Sequence, residues 1–232
     1  MRKTIAGATN RALSTAETAL PFLRARWCPI CQWRGLRFRT IAFVEYSRAD
    51  ARCPVCGSME RHRALSHFYP TFLKALPRAP ARVIHFAPEK SLVPIIKPLC
   101  GSYQTSMYPT QGWSDMTLDL SKLDLPDASY DLFIMNHVLN CVPDDRPVVR
   151  EMARVLKPGG IVLATVGFKE GRTSEHPLAS NQTYREYGTD DLESAFSPFG
   201  VRRVYAADAL DAKARRVQGI PEPVPVLILT KN

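Results

Sequence analysis

Two rhythms of apolar residues divide the chain. From about residue 82 onward, short apolar runs alternate with amphipathic stretches. ARVIHFA is followed by a helical SLVPIIKPLC, then by YQTSMY, MTLDL and the buried-type YDLFIMN. In DDRPVVREMARVL, Val148, Val149, Met152, Val155 and Leu156 recur at helical spacing, and IVLATV, VRRVYAA and PVPVLILTK read as three more strands. TDDLESAF predicts a helix with Thr189 as its N-cap. Seven strands, several apolar on both faces and alternating with helices, predict an α/β domain with a mostly parallel, doubly wound sheet.

Ahead of residue 82 the rhythm differs. RALSTAETALPFLR has helix-forming composition, and WRGLRFRTIAFVEY suits a short hairpin. Ser58–Leu76 turns helical, with Leu65, Phe68, Phe72 and Leu73 on one side and a kink expected at Pro70. The Pro/Ala/Arg stretch Pro77–Arg82 marks the boundary. The resulting division is a helical segment at 1–25, a cysteine-bearing module with its connecting helix at 26–76, and the α/β domain at 77–232.

Charge sharpens this division. The net charge of +9 is uneven: residues 1–82 hold 15 Lys and Arg against 4 Asp and Glu, and residues 83–232 hold 16 against 18. A basic front third suits an anionic partner such as RNA, a phosphorylated substrate or an acidic protein, or simply a solvated arginine-rich surface. No stretch approaches the roughly 20 apolar residues of a membrane helix, and no secretory leader is read at the start. A cytoplasmic location and no membrane partner are therefore expected.

Four of the six cysteines form C-P-I-C and C-P-V-C-G, with 21 residues between them. Each Cys-x-x-Cys turn presents two thiolates to one tetrahedral ion, so Cys28, Cys31, Cys53 and Cys56 are the expected ligands of one zinc. Four thiolates leave no open position, which makes that zinc structural. Disulfides and a redox dithiol are the competing readings. Cys100 and Cys141 read as small buried hydrophobes.

Residues 127–166 (DASYDLFIMNHVLNCVPDD, a helix, then RVLKPGGIVLATV) resemble the class I S-adenosylmethionine-dependent methyltransferases around their fourth and fifth strands. CPVCGSMERHR followed by VIHFAPE resembles a bacterial subgroup of these enzymes with a zinc-binding front end, and YREYGTDDLESAFSPFGV is similar to that subgroup's later segment. The resemblance implies a Rossmann-like fold and S-adenosylmethionine as cofactor. It implies a cofactor site from His85, Phe86, Ala87 and Glu89 after the first strand, Met107 after the second, Asp119 and Leu120 after the third, and Asn136 after the fourth. His137 is the expected catalytic base, and Tyr184, Arg185 and Tyr187 are the expected substrate contacts.

Two departures accompany the resemblance. His85 stands where the family carries an acid, with Ala87 and Glu89 in place of glycines, and the ribose-binding acid after the second strand is missing. His85 reads equally as a core histidine, and Asp119 as a turn cap. The expected activity is methylation of a small-molecule, sugar or natural-product acceptor. RNA methylation with the basic module as a clamp, or a non-catalytic scaffold with an eroded cofactor site, are the alternatives.

Overall fold

The computed structural model describes residues 26–42, 47–108, 112–176, 183–220 and 224–232. The helix expected within 11–24 and the last four residues of the expected hairpin lie outside the described residues. Along the chain come β1 (Arg26–Trp27), β2 (Arg34–Gly35), β3 (Arg39–Ala42), β4 (Ser47–Arg52) and α1 (Glu60–Ala75). Next are β5 (Arg82–Phe86), α2 (Val93–Ile96), β6 (Ser102–Ser106), β7 (Tyr130–Asn136), α3 (Asp145–Val155) and β8 (Leu156–Thr165). The short strands β9 (Phe168–Lys169), β10 (Ser174–Glu175) and β11 (Arg185–Gly188) precede α4 (Leu192–Ala195), β12 (Phe199–Tyr205), α5 (Ala212–Val217) and β13 (Pro225–Lys231).

These elements form two compact units. One holds the described residues up to Tyr69 together with those of 206–224, and the other holds Pro70–Tyr205 and Pro225–Asn232. The segment between the last two strands thus belongs with the cysteine module. Buried Arg63 supplies the reason: its guanidinium donates to the carbonyls of Ala51, Ser58, Gln218 and Gly219. It also lies 3.8 Å from the centre of the Phe38 ring. Gly219 has φ +58°, and a Cβ there would come within 2.9 Å of Phe38, so this turn requires glycine. Helix α1 runs through Pro70 without ending.

The second unit is built on a six-stranded sheet of order β12-β13-β8-β7-β5-β6. β5, β6, β7 and β8 run parallel, and β13 and β12 are antiparallel additions. One face buries Ile84, Phe86, Phe133, Met135, Val162 and Ala164 against Val148, Val149 and Met152 of α3. α3 starts where Asp144 accepts the Arg146 N–H.

Two expectations need correction. The seventh strand, MTLDL, makes a single bridge from Met116 to Ser106. Side chains take the backbone's place on either side of it: the Asp115 carboxylate accepts both the Thr105 N–H and its hydroxyl, and Ser106 Oγ accepts the Leu118 N–H. Thr189 does not cap a helix. Its hydroxyl accepts the Gly171 N–H, and α4 is one turn that begins three residues later. No described helix is long and apolar enough to cross a membrane.

Candidate functional site

Parallel strands bring their carboxyl ends to one edge, and ligands of open α/β sheets bind there. At that edge the second unit has a cavity of about 720 Å³. Phe86 and Ala87 enter it from the end of β5, Ser106 and Tyr108 from the end of β6, and His137 and Val138 from the end of β7. Leu118, Asp119, Leu120 and Ser121 form one further wall, and Cys141–Asp144 with Pro147 and Val148 another.

Five expected residues, Phe86, Ala87, Asp119, Leu120 and His137, therefore share one cavity. Met107 does not line it. Side chains alternate along a strand and its extension, so Ser106 and Tyr108 reach the cavity while the residue between them does not. Asp119 also caps a turn, because its Oδ1 accepts the Ser121 N–H at 2.8 Å and the Ser121 hydroxyl at 2.7 Å. Both readings of that residue are compatible with its position.

Two cavity residues that are not glycine hold left-handed backbone, Ala87 at φ +46° and His137 at φ +53°. The Ala87 N–H donates to Ser106 O at 2.8 Å and the His137 N–H to Thr165 O at 2.8 Å, which fixes both turns at strand ends. A side chain in this region costs about 1–2 kcal/mol, part of which a glycine would return as unfolded-state entropy. Ala87→Gly is therefore expected to be neutral or to stabilise by up to about 1 kcal/mol. Urea titration checks this, and a loss of stability would show that the turn is not strained.

His85, Glu89 and Asn136 gather into a polar cluster. His85 is fully buried, with Nδ1 2.6 Å from the Tyr103 hydroxyl. Its Nε2 stands 3.3 Å from Glu89 Oε2, off the line that a hydrogen bond needs. Asn136 Nδ2 donates to the same Glu89 oxygen at 3.1 Å. Burial, with the nearby Glu89 and Asp115 carboxylates, pushes the Tyr103 hydroxyl well above its ordinary pKa, so it remains a donor. Glu89 thus ties the turn after β5 to the end of β7.

The three expected substrate contacts lie elsewhere. Arg185 is buried and donates to Val142 O at 3.2 Å and Pro143 O at 2.8 Å, with Asp145 3.3 Å away. Tyr187 is buried and donates to Asp145 Oδ2 at 2.6 Å, and the Tyr184 N–H donates to Asn140 O. None of the three lines the cavity, but Arg185 holds Val142 and Pro143, which do. The sequence reading missed Ser106, Ser121, Cys141 and the 142–144 loop; the strand alternation after β6 was the one signal for Ser106. Cys141 is exposed rather than the buried hydrophobe expected, yet partial desolvation raises its thiol above the ordinary pKa, which keeps it protonated.

In the first unit, the sulfurs of Cys28, Cys31, Cys53 and Cys56 all lie within 4.8 Å of one another. Cys28–Cys56 are 3.7 Å apart and Cys31–Cys53 3.5 Å, close to the roughly 3.8 Å edge of a tetrahedron with 2.3 Å zinc–sulfur bonds. Each knuckle ends in left-handed backbone, at Gln32 (φ 60°) and Gly57 (φ 73°). In each, the following N–H returns to the first cysteine's carbonyl, Gln32 to Cys28 and Gly57 to Cys53. All four are free thiols, and the donor set fits a zinc ion.

Comparison with known proteins agrees with this architecture. Residues 72–164 match the family described as methyltransferase domain. An arsenite methyltransferase of Aquipseudomonas alcaligenes is 50% identical over 68 residues, which is 29% of this chain and 20% of that protein. The match thus spans about a fifth of that relative's length. Among solved structures, a putative sarcosine dimethylglycine methyltransferase from Galdieria sulphuraria aligns with TM-score 0.53 and 14% identity, covering 74% of this chain and 88% of that one. The CurJ carbon methyltransferase aligns with TM-score 0.50 and 11% identity, covering 75% and 55%. At such identity, the structural likeness concerns the fold.

Proposed function

We propose that this chain, which carries the methyltransferase domain in residues 72–164, moves a methyl group from S-adenosylmethionine to a small-molecule acceptor. It holds one structural zinc on Cys28, Cys31, Cys53 and Cys56. The observation that carries the first part is the meeting of Phe86, Ala87, Asp119, Leu120 and His137 in one cavity at the carboxyl edge of the parallel strands. Its volume falls within the range of small-ligand pockets. The arsenite methyltransferase relative, by its name, also acts on a small acceptor.

The residues present fit the cofactor. Phe86, Leu118 and Leu120 offer an apolar slot for a planar ring, and the Asp119 carboxylate suits the adenine amino group. Ala87 exposes the turn after β5 to the methionine part, with no bulky side chain in the way. When bound, the cofactor supplies a methyl on a sulfonium, whose leaving sulfur needs no proton. The chain's remaining tasks are to align the acceptor, exclude water and remove one proton. His137 serves as the base, because it lines the cavity and its backbone is fixed to Thr165. Val138, Val142 and Val148 make the acceptor side apolar.

Calorimetric titration with S-adenosylmethionine tests this reading. Binding is expected for the native chain. Asp119→Asn keeps an acceptor for the Ser121 turn while losing the charge, and should weaken binding about 10-fold or more, the usual worth of a charged hydrogen bond. No heat and no thermal shift at millimolar ligand would sink the enzyme reading in favour of a scaffold.

A further inference from the structure

The first unit carries more positive charge than its own carboxylates neutralise. Its described residues hold eleven Lys and Arg against four Asp and Glu. Three of the four acids are already engaged. Asp50 meets Arg26 and the Phe38 N–H, Glu60 meets Arg48, and Asp211 accepts the Ala214 N–H at the start of α5. Arg34, Arg37, Arg39 and Arg52 are exposed, and among the described residues none has an ion-pair partner.

Two of these four stand in an unfavourable arrangement. Arg39 and Arg52 face each other directly across the β3–β4 ladder, and like charges in that relation repel. Both line a groove of about 560 Å³ that runs along the second cysteine knuckle, beside Thr40, Ile41 and Val55. Directly opposed residues of an antiparallel pair lie about 5 Å apart, so one tetrahedral anion can sit between the two guanidinium forks. A phosphate presents oxygens to both forks, whereas a carboxylate presents a single edge. Val55, 56% exposed, lines the same groove and offers an apolar surface to a base.

We infer that this groove binds the backbone of a single-stranded nucleic acid, with Arg39 and Arg52 sharing one phosphate. The inference is independent of methyl transfer and stands or falls on binding alone. The repulsion across the ladder is relieved when the phosphate is bound, so the free protein carries a small stability cost for its ligand.

Fluorescence anisotropy with a labelled single-stranded oligoribonucleotide of about 12 nucleotides tests it on the full, zinc-loaded chain. Binding should weaken as salt rises, with about 0.7 of log–log slope for each phosphate neutralised. The Arg39→Gln/Arg52→Gln double variant should lose about 10-fold in affinity and, because the two share one phosphate, about 0.7 in slope. It should keep its zinc, and its Tm should hold or rise because the repulsion is gone. Arg215→Gln/Arg216→Gln, which removes the same charge from α5, should bind nearly as the native chain does. The inference is overturned if the RNA does not bind, if both double variants lose affinity equally, or if a polyglutamate peptide binds as tightly.

Discussion

Removing the metal is expected to unfold the cysteine module, and this is the largest effect foreseen for any single perturbation. Structural four-ligand zinc sites contribute apparent binding energies of about 10–16 kcal/mol in small peptides, more than a small unit's whole stability. Among the described residues the apolar cluster at the knuckles is small, with Ile30, Trp33 and Phe38 packed around the thiols. The unit's two hairpins are a two-residue pair and a bulged pair. Purified protein should contain about one zinc per chain, and Cys28→Ser or Cys53→Ser should lose it. After chelation, trypsin should cut at Arg34, Arg37, Arg39 and Arg52 far faster than in the loaded protein. Stoichiometric zinc whose removal leaves digestion unchanged would defeat the structural role, and disulfides in place of zinc would defeat the site itself.

What made that module legible is that a Cys-x-x-Cys turn is local. Its geometry is set within five residues, and two copies announce a four-thiol cluster without knowledge of the chain between them. The parallel strands were legible for a similar reason, since YDLFIMN and IVLATV are apolar on both faces wherever they pair. Features that depend on distant partners were not legible. Nothing near Arg63 in sequence announces that its guanidinium closes on Gln218 and Gly219, about 155 residues away, so the assignment of 206–224 to the first unit was invisible. MTLDL has strand-like alternation, but Asp115 and Ser106 divert its hydrogen bonds to side chains, a choice propensity does not encode. Of the expected cofactor and catalytic residues, Asp119 and His137 line the cavity. After β6 the reading chose Met107 by chemistry, where the pleat selects its neighbours.

Arg185 is expected to be the most sensitive side chain of the second unit. Its guanidinium is 4% exposed and answers two carbonyls, Val142 and Pro143, while facing Asp145, which also takes the Tyr187 hydroxyl. Burial and the Asp145 charge push the Tyr187 hydroxyl well above its ordinary pKa, so it stays a donor across the neutral range and cannot replace the lost cation. Arg185→Met removes the cation and leaves a largely buried carboxylate and two carbonyls with less than they need, a class of change that costs about 3–5 kcal/mol. Because Asp145 keeps 16% exposure, about 3 kcal/mol is the expected figure, read from the midpoint of urea unfolding. Arg185→Lys retains the charge but not the fork that reaches two carbonyls, and should fall between native and Met. The same loop lines the cavity through Val142 to Asp144, so cofactor affinity should fall in step with stability. The sequence reading of Arg185 as a substrate contact forecasts the opposite pattern: a raised KM with stability and cofactor binding intact. Measuring unfolding, cofactor titration and KM on one variant therefore decides whether Arg185 touches the acceptor or builds the wall behind it.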